Sequence, residues 1–248
     1  VLDGGLGNDS LTGGAGNDTY IVDAAGDQVV EAAGGGVDSV QSMVSWALGA
    51  EVENLTLTGF GATQGTGNGL NNAITGNVGN NYLNGGLGSD TLAGGAGNDT
   101  YVMDSSGDQV IEAAGGGSDT VQSFISWTMS AEVENLTLAG SASIQGIGNT
   151  LNNALTGNAG SNYINGGLGN DTLAGGAGND TYVVDTAGDQ VTEAAGGGTD
   201  SVQSFVSWTL SAEVENLMLL GSGSIQGAGN ALNNTLTGNA GSNRLDGD

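Results

Sequence analysis

The sequence contains no cysteine, no histidine, no proline and no lysine, and its one basic residue is Arg244. These absences exclude whole classes of chemistry. Without thiols or imidazoles there is no disulfide framework, no nucleophilic cysteine, no histidine base and no zinc site of the usual kind. Without a cationic surface there is nothing to meet nucleic acid or an anionic membrane. No apolar run approaches the roughly 18 residues of a membrane-spanning helix, and no charged-then-apolar leader opens the chain. Aromatic residues make up only 4%.

What is present is equally biased. Of 248 residues, 50 are glycine and 27 are aspartate or glutamate, for a formal net charge of −26. High charge and glycine entropy both favour disorder. Yet 37% of the residues are hydrophobic, and Val, Leu and Ile recur at regular intervals. Such a chain can fold once its negative charge is answered.

The string Gly-Gly-Ala-Gly-Asn-Asp-Thr-Tyr occurs at residues 13–20, 94–101 and 175–182, a period of 81. Trp46, Trp127 and Trp208 keep the same period, as do Glu31, Glu112 and Glu193. The chain therefore divides into repeats 1–81, 82–162 and 163–243, with 244–248 opening a fourth, all expected to form one continuous solenoid. It starts on Val1 and ends at the phase at which it began, which reads as a slice of a longer array.

Within each repeat a nine-residue period appears. In the second copy Asn72, Asn81, Asp90, Asp99 and Asp108 are nine apart, and Asp119 follows after eleven. The pattern around them is Gly-Gly-x-Gly-x-Asp-x-U-x, with U apolar. Its glycines are Gly4, Gly5, Gly7, Gly13, Gly14 and Gly16 in the first copy and Gly85, Gly86, Gly88, Gly94, Gly95 and Gly97 in the second. The third copy has Gly166, Gly167, Gly169, Gly175, Gly176 and Gly178. Equivalent acidic or amide positions elsewhere are Asp9, Asp18, Asp27, Asp38, Asn153, Asn162, Asp171, Asp180, Asp189, Asp200, Asn234 and Asn243.

These phased nonapeptides resemble the RTX, or hemolysin-type, calcium-binding repeats, strongly over about half of each 81-residue unit. The resemblance implies an all-β fold, a right-handed parallel β-roll or β-solenoid with Ca2+ held between stacked Gly/Asp-rich turns. In that arrangement two nonapeptides complete a coil of about 18 residues. Asp90 then stacks on Asp108, and Asn81 on Asp99, about 4.8 Å apart. Stacked carboxylates repel, and a hard divalent cation taking about six oxygens removes the repulsion. An oxygen-only donor set selects calcium over zinc or copper. All the Asp, Asn and Gly positions named above are on this reading candidate metal ligands or turn residues. A site count on the order of four per repeat, about a dozen cations, would nearly balance the net charge.

The U positions supply the apolar half. Leu92 is expected beside Val110, and Tyr101 beside Val121 only if two extra residues are absorbed in a longer turn. Hydrophobic burial on so thin a core contends with roughly 1–2 kcal/mol of backbone entropy per residue. Metal binding is therefore expected to supply much of the folding free energy.

The segment linking the nonapeptides alternates as strands do. Ile125, Trp127 and Met129 are expected to face opposite Phe124, Ser126 and Thr128, and Leu136 and Leu138 opposite Val133, Asn135 and Thr137. The 34 residues from Asp119 to Asn153 fit either three or four metal-poor half-coils.

No catalytic constellation emerges. Glu132 and Glu134, with Glu51, Glu53, Glu213 and Glu215, could mimic a glycosidase pair. A solvated strand edge or local cap is the better reading, because no positioning base or cation accompanies them. The tryptophans read as solenoid packing rather than a sugar platform. Asp23, Asp104 and Asp185, like Glu31, Glu112 and Glu193, are either additional ligands or exposed acids.

The function expected is that of a non-enzymatic calcium-binding structural module of a secreted bacterial protein. It would fold outside the cell as a rigid spacer, adhesin or surface-array segment. The resemblance implies export of an unfolded chain through a one-step channel. The alternatives are a folding module attached to a secreted protease, lipase or alginate epimerase, and a carbohydrate-binding solenoid. Partners expected are calcium ions and, through uncapped coil edges, further copies in calcium-dependent end-to-end association.

Overall fold

The structure is a computed structural model and describes residues 1–247; the last position of the expected fourth repeat, Asp248, lies outside the described residues. Among these residues there are 28 short strands and no helix, hence none long and apolar enough to cross a membrane. The strands pair in parallel, each with the strand two along the chain, which makes a β-solenoid. Two compact units are formed, Val1–Val121 and Gln122–Asp248.

In the first unit one wall is the sheet Leu2–Asp3, Thr19–Val22, Ser39–Ser42, Asn54–Leu57, Ala73–Thr75, Thr91–Ala93 and Gln109–Ile111. The opposite wall begins with Ser10–Thr12 paired to Gln28–Val30. It continues as Trp46–Ala47, Gln64–Thr66, Tyr82–Asn84 and Thr100–Met103. The second unit has the same construction, for example Gln145–Ile147, Tyr163–Asn165, Thr181–Val184 and Ser201–Ser204 along one wall and Asn135–Leu138, Ala154–Thr156, Thr172–Ala174 and Gln190–Thr192 along the other.

The register follows from the nonapeptide. Leu92 pairs with Val110 and with Ile74, all buried, so the expected apolar ladder is present. Tyr20 faces Val40 and Tyr182 faces Val202, so the coil following each tyrosine runs 20 residues. The two extra residues are taken up in a turn where Gly34 or Gly196 has φ of 70° or 75°. Linking coils depart further from 18. Ser201 pairs with Asn216 after 15 residues, and Trp127 with Gly146 after 19. Strands Thr120–Ser123, Trp127–Thr128, Asn135–Leu138 and Gln145–Ile147 settle the linking segment at four half-coils.

Burial alternates as expected over 124–129, where Met129 is buried and Phe124 exposed. Val133 is a correction. It is wholly buried rather than turned away from Leu136 and Leu138, because it follows directly on a turn in which Glu132 takes φ of 64°. The tryptophans are half-buried, as packing residues would be, and each faces a glycine one coil on: Gly65, Gly146 or Gly227. A Cβ at Gly65 would meet Ile74, Leu55 and Leu83 at 3.0–3.3 Å.

One feature of the winding is invisible in the repeat itself. From Thr19–Val22 to the equivalent Thr100–Met103 the chain makes nine half-coils, an odd number, and these two strands lie on opposite walls of the first unit. In the second unit Ala154–Thr156 and Thr235–Thr237 are likewise on opposite walls.

Candidate metal centre

Each frame is held by its neighbour through a side chain-to-backbone bond. The Asp90 Oδ1 accepts the backbone N–H of Asn72 at 2.7 Å, and the Asp108 Oδ1 accepts that of Asp90 at 3.1 Å. Asp99 and Asp119 hold Asn81 and Asp99 in the same way at 2.6 and 2.7 Å. The bond recurs from Asp9 to Asp27, Asp18 to Asp38, Asn153 to Asp171, Asn162 to Asp180, Asp171 to Asp189 and Asp180 to Asp200. The frames thus stack as the nonapeptide spacing requires. One oxygen of each downstream carboxylate is turned to a backbone donor rather than to the next carboxylate.

The second polar atom of the side chain sorts most of the candidates into three groups. In Asp27, Asp108 and Asp189 it accepts two more backbone N–H groups, such as those of Asp104 and Ser105 at 3.3 and 3.0 Å on Asp108. In Asp9, Asp38, Asp90, Asp99, Asp171, Asp180 and Asp200 the Oδ2 is buried without any hydrogen-bond partner. Oδ1 of Asp185 is in the same condition. Buried polar atoms without partners are rare in folded proteins, and a recurring set of anionic ones suits a cation.

The third group is the asparagines. The Asn72 Oδ1 accepts the N–H of Asn68 at 2.8 Å, and its Nδ2 donates to the carbonyls of Val52 and Glu53 at 3.1 and 3.2 Å. Asn81, Asn153, Asn162, Asn234 and Asn243 repeat the arrangement, each closing both ends of its amide on backbone or neighbouring polar groups. A second asparagine four residues earlier reinforces it. The Nδ2 of Asn149 donates to the carbonyls of Ser130 and Val133, both at 2.8 Å. Sequence reasoning overlooked this partner, although the Gly-Asn-x-x-x-Asn spacing announces it.

Glycine shapes the open frames for two separate reasons. Gly86 and Gly88 adopt φ of 80° and 138°, which side chains resist. Gly85 is needed for space, since a Cβ there would lie 2.1 Å from Asp90 Oδ2. Gly4 and Gly166 stand in the same relation to Asp9 and Asp171. Gly13, Gly94 and Gly175 do so for Asp18, Asp99 and Asp180, with a tyrosine hydroxyl close by as well.

A family model for the RTX calcium-binding nonapeptide repeat matches the chain in four copies, over residues 1–29, 66–101, 147–182 and 228–248. The chain carries RTX calcium-binding repeats. No curated protein matches it.

The residues present fit the ion that RTX repeats bind. The donors are oxygens only, the unpartnered atoms are anionic, and a glycine cradle leaves room beside them. Electrostatics point the same way. Burial pushes the carboxyls of Asp90, Asp99 and Asp171 up to about 6, although the N–H groups of Asn72, Asn81 and Asn153 pull them down. Burial likewise raises Asp104, Asp180, Asp185 and Asp200.

Carboxylates converge most closely at the 20-residue coils. Asp18, Glu31 and Asp38 bring one oxygen each within 4.8 Å of the others, as do Asp99, Glu112 and Asp119, and Asp180, Glu193 and Asp200. At an effective dielectric near 20, two unit charges that far apart repel by roughly 3 kcal/mol. The paired glutamates of the linking segment serve as caps instead. Oε2 of Glu53 and Glu215 accepts the N–H of Asp38 and Asp200, both at 2.8 Å.

Proposed function

We propose that the chain is a calcium-ordered structural module of a secreted bacterial protein, a spacer or adhesive segment that folds when it meets extracellular calcium. The observation that carries this reading is the array of buried, unpartnered Oδ2 atoms on the open Asp frames. Calcium at these frames would supply the positive charge that ties the carboxylates of successive coils together. In this reading the open frames take the ions and the asparagine frames are closed by their own amides. The cation load is then smaller than one per nonapeptide.

The chemistry suits an extracellular setting. Extracellular calcium modules have dissociation constants of about 10⁻⁴–10⁻³ M, which leaves them empty in the cytosol and filled outside. A chain carrying −26 has a single internal cation, Arg244, against 27 carboxylates. Export unfolded and folding on arrival would follow from one equilibrium.

Calorimetric calcium titration with circular dichroism in parallel tests the proposal. Strand signal that rises with calcium and is lost in excess chelator supports it. A fold with the same spectrum and melting temperature in chelator and in calcium overturns it.

A further inference from the structure

We propose that the three Asp–Glu–Asp clusters form a second class of divalent-cation site, one per 81-residue repeat, in which a glutamate outside the nonapeptide supplies the third carboxylate and a buried tyrosine fixes its position. The inference rests on the calcium reading above and deepens it. Successive Asp frames within each repeat differ in the residue at U. Asp9, Asp90 and Asp171 are followed by Leu11, Leu92 and Leu173; Asp18, Asp99 and Asp180 are followed by Tyr20, Tyr101 and Tyr182.

The tyrosine is what makes the second kind different. Its ring is fully buried, and its hydroxyl donates to Oε1 of Glu31, Glu112 or Glu193, eleven residues on. The glutamate's Oε2 accepts the N–H of the following alanine at 3.1–3.2 Å. Held at both oxygens, the glutamate carboxylate is presented to the two aspartates, all within 4.8 Å. The single cationic side chain of the sequence, Arg244, pairs with Asp246.

Two further observations point to a ligand. Asp180 and Asp200, each 1% exposed, both carry an unpartnered Oδ2, as do Asp38 and Asp99 in the other clusters. The space beside them is kept open by glycine: a Cβ on Gly175 would lie 2.2 Å from both Asp180 Oδ2 and the Tyr182 hydroxyl, and Gly94 stands likewise to Asp99 and Tyr101. The nonapeptide matches end at residues 29, 101 and 182, before Glu31, Glu112 and Glu193 and before Asp38, Asp119 and Asp200, so the matched motif accounts for only one of the three carboxylates in each cluster.

Affinity in oxygen-ligand sites rises with the number of charged ligands. The three-carboxylate clusters therefore fill first. Calcium titration of the whole chain is expected to show a tight class of about three ions, binding at least tenfold more strongly than the rest. In the variant carrying Glu31→Gln, Glu112→Gln and Glu193→Gln, that class disappears while the weaker class remains. Terbium ion reports on the same sites, because the tyrosine hydroxyls adjoin them. Tyrosine-sensitised emission in the first three equivalents is expected from the parent and is lost in the variant carrying Tyr20→Phe, Tyr101→Phe and Tyr182→Phe.

A glutamine variant whose titration superimposes on the parent's overturns the proposal. If that variant fails to fold, the parent decides alone: terbium bound without tyrosine-sensitised emission in the first equivalents overturns it. A parent that binds calcium in a single class defeats this inference only, whereas a parent that binds none defeats the calcium reading as a whole.

Discussion

The backbone N–H of Asp180 donates to Oδ1 of Asp200 at 2.7 Å, twenty residues further on, while Oδ2 of Asp200 is buried with no partner. One carboxylate thus joins two coils with one oxygen and withholds the other. The first interaction ties one coil to the next, and the second leaves a buried charge uncompensated.

Replacing an open aspartate by asparagine separates the two effects. The substitutions Asp90→Asn and Asp171→Asn remove buried charge with little change of shape. In chelator these variants are expected to be at least as stable as the parent. In millimolar calcium they should be less stable, by about 1–3 kcal/mol per site, since a charged hydrogen-bonding partner is lost. Thermal melts in both conditions check the reversal of sign.

Acid should partly replace calcium. The carboxyls of Asp90, Asp99 and Asp171 rise from an ordinary value of 3.8 to about 6 in the cation-free fold. A raised carboxyl means that the folded state holds the proton more tightly, so stability falls as pH rises through this interval. In chelator, lowering the pH from about 6 towards about 4 is expected to increase strand content. Circular dichroism across that range gives the answer; a loss of strand signal on acidification would contradict it.

The asparagine frames should behave differently. Asn72 is buried and makes bonds to Asn68, Val52 and Glu53. Asn72→Ala leaves these backbone groups unsatisfied and is expected to cost about 2–4 kcal/mol. Because the amide is closed on the chain itself, the bound-calcium count should not change. Denaturant melts and a calcium titration measure the two quantities.

Gly85→Ala tests the space beside a carboxylate. The residue is absent from the positive-φ glycines, and its added Cβ would lie 2.1 Å from Asp90 Oδ2. Overpacking of this kind typically costs about 1–3 kcal/mol. The loss should be larger in calcium than in chelator, because the displaced oxygen is the one expected to hold the ion.

The sequence reveals much of this arrangement. The 18-residue coil, the pairing of Leu92 with Val110 and the longer coil after tyrosine all follow from where the glycines and apolar residues fall. Three things do not follow. Asp90 and Asp108 occupy equivalent frame positions, yet only the latter turns both oxygens to backbone donors, and that depends on the local turn at Asp104 and Ser105. The buried Val133 breaks the alternation because a left-handed residue at Glu132 redirects the chain. Glu193 reaches the cluster only because Tyr182, eleven residues away in sequence, is folded over it. Pattern reports periodic neighbours well; it is silent about which lone pair an oxygen has already committed.

The odd count of half-coils between equivalent strands also governs how the surface is displayed. Within the first unit a binder restricted to one wall meets either the Thr19–Val22 copy of that strand or the Thr100–Met103 copy, never both. Equivalent strands of successive repeats are thus turned to opposite sides of the coil, so chemistry repeated in the sequence is not repeated along one side of a unit.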